Sequence, residues 1–259
     1  MSAQVCFISS NYGGRESTCK RFKPQTIKTD FICFTDNPNQ KSNGWIIDTT
    51  PYHLLNKSLL DNNTYINSIE NNKHTFNVAK YYKQAFQNIP RLKNYDVVVW
   101  LDGTIEILNP NLSKWLLDNI FWSKIVGWEH DGAGRKGSGG FHTEMKRSVE
   151  NKRYSSTGWM GQPQPFQDVG AQYRSYIQEG YNHRKIGKVW LTCFVAFWNQ
   201  STKVTEFLNE WYLQTLKYTT QDQIGFPYAC YKCNLIPHTV GRNRSSSKNK
   251  WYKKHTHRR

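Results

Sequence analysis

An α/β sandwich around a largely parallel sheet is the fold class that this 259-residue sequence predicts. Three observations point to it. Short apolar runs alternate with segments of helical period along the whole chain. The run VVVWL at 97–101 is apolar at every position, as a strand covered on both faces must be. Polar or acidic residues, Asn11, Asp36 and Asp102, follow the predicted strands, and ligands of such sheets lie beyond the strands' carboxyl ends.

Each element has its own signal. Residues 4–9 (QVCFIS) form a short buried strand closed by the polar turn SNYGGRES, and 30–36 (DFICFTD) a second, ended by the breaker NPN. Residues 45–48 give a third strand, while 52–73 is Asn-rich, with leucines at 54, 55, 59 and 60 compatible with a short helix. From 75 to 88 the apolar positions 78, 79, 82, 85 and 86 keep a helical period until Pro90. The strand 95–101 is followed by a helix at 111–120 and a strand at 123–129. The stretch 131–140, DGAGRKGSGG, holds five glycines and is expected to be a mobile loop, a lid or a surface insertion. It lacks both the phosphate-loop and the dinucleotide-fold glycine spacings. Helices at 165–179 and 202–217 flank an apolar strand at 189–198, and a helix at 222–231 and a strand at 235–238 complete the pattern.

Composition narrows the function. With 37% hydrophobic and 15% aromatic residues the chain can bury a core and is not a disordered polymer. The apolar run at 189–198 is half of the roughly 20 residues that cross a bilayer. The first residues lack a basic start and a long apolar segment, so a soluble, cytoplasmic protein is expected. Six scattered cysteines suggest reduced thiols, and the single C-x-x-C, Cys230 and Cys233, lacks the further ligands a zinc site needs. The net charge is +16, and eight of the 35 Lys and Arg lie in residues 242–259, where there is no acid. That tail is expected to be disordered, attracting polyanions or nothing specific, while the surplus on the body favours an anionic ligand.

Asp102 is the residue on which chemistry turns. A strand-end acid followed by glycine suits a site for a metal-bound diphosphate, the carboxylate holding a hard cation and the glycine allowing close backbone approach. Strand-Asp-Gly is equally a common way to end a strand. Both alternatives stand on the residues alone.

Four blocks in order, DFICFTD (30–36), AKYYKQAFQNIP (79–90), YDVVVWLDGTIEI (95–107) and TTQDQIGFPYACYK (219–232), carry a resemblance. They resemble the FICFTD, AKYYK, WIDG and RDQ-x-x-FPY blocks of a glycosyltransferase-like family that includes plant mucilage- and pollen-tube-related proteins and bacterial and viral members. The resemblance implies a GT-A, nucleotide-diphospho-sugar transferase, domain over 1–241, with 242–259 outside it. It implies transfer of a sugar, expected to be a hexose, from a UDP- or GDP-sugar to a hydroxyl of a glycan or glycoconjugate, with Mn or Mg as cofactor. Asn11, Tyr12, Arg15 and Asp36 would then hold base and ribose, and Lys80 would neutralise a phosphate or pair with Asp102. Asp102, Gly103 and Thr104 occupy the place of the DxD motif; Asp102, Thr104 and a late His238 are the implied metal ligands. Asp222 would manage the acceptor proton and Gln223 bind sugar hydroxyls. Two departures qualify this: Thr104 stands where a second acid is usual, and VWLTCF (189–194) lacks the acid of the family's GLYETG block. They keep open a non-catalytic relative that binds glycan or nucleotide sugar, besides a polyanion-binding protein acting through the tail.

Overall fold

The computed structural model describes residues 4–52, 65–69, 74–130, 140–150, 167–183, 189–241 and 249–256. Its strands are β1 (Val5–Asn11), β2 (Thr29–Thr35), β3 (Ile46–Asp48), β4 (Val97–Leu101), β5 (Ile105–Ile107), β6 (Ile125–Glu129), β7 (Trp190–Trp198), β8 (His238–Val240) and β9 (Tyr252–Lys254). Its α-helices are α1 (Thr75–Gln84), α2 (Leu112–Ser123), α3 (Phe141–Glu150), α4 (Val169–Gln178), α5 (Thr202–Lys217) and α6 (Asp222–Lys232). Most of the glycine-rich 131–140 stretch and of the Asn-rich 52–73 stretch lies outside the described residues.

Among the described residues the main sheet has seven strands in the order β3-β2-β1-β4-β7-β6-β8. All its pairings are parallel except those of β7, which runs against both β4 and β6. The expected class, a mixed α/β GT-A-like domain, is therefore the one observed. Because β7 is reversed, its amino end meets the carboxyl ends of β1, β4 and β6, and Asp102 N donates to Cys193 O at 2.9 Å.

Strand alternation divides the core. Val98 and Trp100 of β4 point into one layer, with Tyr81 and Tyr82 of α1, Phe207 and Trp211 of α5 and Phe226 of α6. Val97, Val99 and Leu101 point into the other, with Leu112, Leu116 and Ile120 of α2. Both faces of β4 are thus dry, as its unbroken apolar run required. Helix α1 stops at Gln84, short of the expected 88, and two 3-10 turns, Phe86–Asn88 and Pro90–Leu92, carry the chain on to β4.

The tail departs from expectation. Tyr252–Lys254 pairs antiparallel with β5, and Tyr252 is buried against Trp128 and Phe194. Trp251 packs at a tilt against Trp115 with ring centroids 4.9 Å apart. Burying such side chains contributes about 1.5–3 kcal/mol each, enough to hold a short segment despite its charge. Residues 249–256 therefore belong to the domain that was expected to end at 241.

Candidate active site

A cavity of 260 Å3 opens where β1, β4 and β6 end and β7 begins. Its walls carry Asn11, Tyr12 and Arg15 from the end of β1, Lys80 and Lys83 from α1, Asp102 and Gly103 after β4, and Asp222 and Gln223 at the start of α6. Most of the residues singled out in the sequence therefore meet in one place.

The densest part is an ion cluster around Asp222. Lys80 and Lys83 are three residues apart on α1 and so share a face. Their Nζ atoms each lie 2.6 Å from Asp222 Oδ2. Thr192 of β7 donates to Oδ1 at 2.7 Å, and Trp211 Nε1 donates to the Asp222 backbone carbonyl at 2.8 Å. Asp222 is the first residue of α6 and does not cap it; the cap is Gln221.

Burial alone would raise the Asp222 pKa, but the two ammonium groups outweigh it and hold the carboxyl far below the ordinary carboxylate range. Burial also opposes the charge on Lys83, yet Asp222 and Asp102 overcome it and lift its pKa. For Lys80 burial prevails over Asp222, and its pKa falls. A carboxylate so strongly stabilised as an anion is a poor proton acceptor near neutrality.

Asp102 is different. Its side chain is 40% exposed, accepts from Trp100 Nε1 at 2.8 Å, and stands 3.7 Å from Lys83 Nζ. It pairs with Lys83 and not, as the sequence suggested, with Lys80. After it the chain reverses in a tight turn in which Ile105 N donates to Asp102 O at 2.9 Å. The turn carries Thr104 inward: the residue is 1% exposed, and its Oγ1 is buried without a hydrogen-bond partner. Gly103 is required by Asn11, whose Oδ1 would lie 2.5 Å from a Cβ built there. The space that the glycine leaves is filled by this amide, not by a ligand.

The remaining expected residues divide. Tyr12 lines the cavity and hydrogen-bonds Tyr82 through their hydroxyls at 2.8 Å; burial pushes its pKa up to about 12. Arg15 lies over Phe76 at 3.9 Å, and burial lowers its pKa to about 10. Gln223 donates to Trp190 O at 3.0 Å. Asp36 is exposed and accepts from Gly13 N at 3.1 Å, so it braces the turn after β1 without lining the cavity. His238 is not brought to the site. Its strand begins there and does not end there, which puts the imidazole at the amino end of β8, opposite Val126 and against Trp115.

These positions test the implied metal. Of the three expected ligands only Asp102 faces the cavity, since Thr104 is turned into the core and His238 lies at the other end of the sheet. Among the described residues no three His, Cys, Asp or Glu stand together as a preformed metal site. The described walls set Arg15, Lys80, Lys83 and Lys254 against Glu16, Asp102 and Asp222, so the cations exceed the acids by one. This does not fit a divalent ion held as the resemblance implied.

Sequence reasoning missed Lys83, Thr192 and Lys254. The first had a signal, since AKYYK places two lysines on one helical face. Thr192 and Lys254 arrive through tertiary structure alone, on β7 and on β9. Cys193 also lines the cavity, but burial pushes its thiol up to about 11, so it stays protonated and un-nucleophilic at neutral pH.

Comparison with known proteins shows the fold. Mouse xyloside xylosyltransferase 1 superposes with a TM-score of 0.51 at 10% identity, covering 92% of this chain and 85% of that one. The WbbM bifunctional glycosyltransferase matches at a TM-score of 0.45 and 13% identity, over 93% of this chain; the chain spans 39% of that protein. No protein-family model matches the chain. No curated protein matches it in sequence. No helix among the described residues is long and apolar enough to cross a membrane.

Proposed function

We propose that the protein is a glycosyltransferase that moves a sugar from a nucleoside diphosphate donor to a hydroxyl of a glycan or glycoconjugate. The observation that carries this is the cavity at the carboxyl ends of β1 and β4, where Asp102 stands exposed beside the Lys80–Lys83–Asp222 cluster and Arg15 and Lys254 add cations to the wall. The GT-A-like fold and the names of the two structural neighbours support it, as do the four ordered sequence blocks.

In this scheme the acceptor oxygen bonds to the anomeric carbon as the bond to the diphosphate oxygen breaks. The products are the glycosylated acceptor, the nucleoside diphosphate and a proton. Negative charge grows on the leaving diphosphate, and fixed cations in a partly dry site stabilise it. Lys254, Arg15 and Lys83 supply that charge, and Asp222 positions Lys80 and Lys83 without moving protons. Asp102 accepts a hydrogen bond from the reacting hydroxyl, takes up its proton as the new bond forms and passes it to solvent. Tyr12, Phe76 and Asn11 form the wall for base and ribose. Mn or Mg, implied by the resemblance, carries no step here.

A thermal-shift screen of UDP- and GDP-sugars, with EDTA and then with Mn, tests the scheme. Stabilisation by at least one donor in EDTA is expected. Stabilisation only with Mn removes the cation-based part, and no response to any donor removes the function.

A second reading, a donor-binding relative without turnover, is favoured by the inward Thr104 and by the low basicity of Asp222. It gives binding in the same screen and no release of nucleoside diphosphate.

A further inference from the structure

A second, larger cavity of 1000 Å3 adjoins the first and has no part in the scheme above. The two share Arg15 and Glu16. One wall of the larger one is the connection after β1, residues 13–21; the other holds Lys41, Asn43, Glu106, His255 and Thr256. The first wall is rigidly built. Cys19 N donates to Lys41 O at 2.9 Å and Lys41 N to Ser17 O at 3.1 Å. Asn43 Nδ2 and Trp45 Nε1 donate to the carbonyls of Cys19 and Lys20 at 2.7 and 2.8 Å.

The charges in this groove are unbalanced. Both of its acids are engaged, Glu16 with Lys20 at 3.1 Å and Glu106 with His255 at 2.6 Å. Arg21 and Lys41 are exposed, and neither side chain has an ionic or hydrogen-bonded partner among the described residues. At the junction, Arg15 Nη2 is shut off from solvent with no hydrogen-bond partner, while its guanidinium rests on Phe76. A guanidinium nitrogen buried without an acceptor is costly unless an anion or other acceptor meets it.

We infer that this groove is the acceptor site and that it takes a saccharide bearing an anionic group, phosphate or carboxylate. The anionic group meets Arg21 and Lys41, and the chain of sugar passes Arg15 into the cavity where Asp102 faces its hydroxyl. The role of acceptor rests on the proposed transferase reading, since an acceptor is defined only beside a donor, while the anion preference rests on Arg21 and Lys41. Phosphate and carboxylate share the chemistry of a fork-shaped or point-charge contact with Arg and Lys. A nucleic acid would also be attracted, but the groove's described walls offer it no exposed aromatic ring on which a base could stack.

The test is an NMR titration of the full chain with glucose 6-phosphate, glucuronate, glucose and a short oligothymidine, with UDP and GDP binding measured in parallel. The charged sugars are expected to bind about tenfold more tightly than glucose, and the Arg21→Gln/Lys41→Gln variant to lose about that factor while UDP binding is unchanged. The tighter of the two charged sugars identifies the anionic group. Equal binding of charged and neutral sugars overturns the inference, as does charged-sugar binding that ignores the double substitution. So does a response confined to the oligothymidine. A protein that binds neither UDP nor GDP yet holds charged sugars through Arg21 and Lys41 overturns the transferase reading and leaves the anion site standing. One that binds UDP but no charged sugar does the reverse.

Discussion

The two adjoining cavities are both cationic, yet they handle charge in opposite ways. In the smaller one, Lys83 and Asp222 are buried, Lys80 is nearly so, and both ammonium groups lie 2.6 Å from Asp222, so each charge is fixed in place before any ligand arrives. In the larger one, Arg21 and Lys41 are solvated and free among the described residues. Buried, mutually held charges are costly to assemble and geometrically exact, which suits stabilising a reacting diphosphate. Solvated charges are mobile and screened, which suits capture of a varied partner. Removing one member should therefore damage the first cavity far more than the second.

The largest effect is expected at Asp222. Asp222→Ala strands two buried ammonium groups, and breaking a buried ion pair this way costs about 3–5 kcal/mol, readable as a lowered midpoint in urea. The pH dependence has a definite sign. The folded-state pKa of Asp222 lies below its ordinary value of 3.8, so its contribution is complete above that value and fades as pH falls below it. Asp222→Asn should flatten the acid limb of the stability curve; an unchanged limb would show that the cluster does not hold the fold.

Asp102→Asn should behave oppositely. Its carboxylate is 40% exposed, so the fold should keep its melting temperature while sugar transfer falls about a hundredfold or more, the usual weight of a placed acid or base. Equal losses of stability and activity would erase the contrast between the two acids.

Gly103→Ala comes next. A Cβ there meets Asn11 Oδ1 at 2.5 Å, and such overpacking costs about 1–3 kcal/mol. Mildest is Lys254→Met, which removes one cation and should weaken UDP binding about tenfold, the weight of one charge-assisted hydrogen bond at ~1.5 kcal/mol. Calorimetric titration with UDP reads it, and unchanged affinity would take Lys254 out of the donor site.

The same contrast explains what could be read in the sequence. Strands β1, β2 and β4 announce themselves because their signal is local: unbroken apolar runs ended by polar residues. The strand-end rule also brings Asn11 and Asp102 together, but Asp36, read the same way, braces the turn after β1, and Asp222 was implied by the resemblance alone. Strand direction carries no local signal, and β7, apolar on both faces, reads the same in either sense. His238 was misplaced for a related reason, its strand running from that residue and not up to it. Thr104 was read as a ligand because it stands at the third position of the DxD place, while the turn closing at Ile105 folds it inside. The tail was misjudged by net charge, since two aromatic rings, Trp251 and Tyr252, outweigh the surrounding lysines once Trp115, Trp128 and Phe194 are near.

The central claim is that the chain's own amino groups hold a nucleoside diphosphate and that Asp102 faces the sugar. Release of nucleoside diphosphate from a sugar nucleotide, followed in EDTA for the native chain and for Asp102→Asn, tests it most directly. The native chain should release product and the variant, equally folded, should not. Equal release by both, or release by neither until Mn is added, would contradict the account.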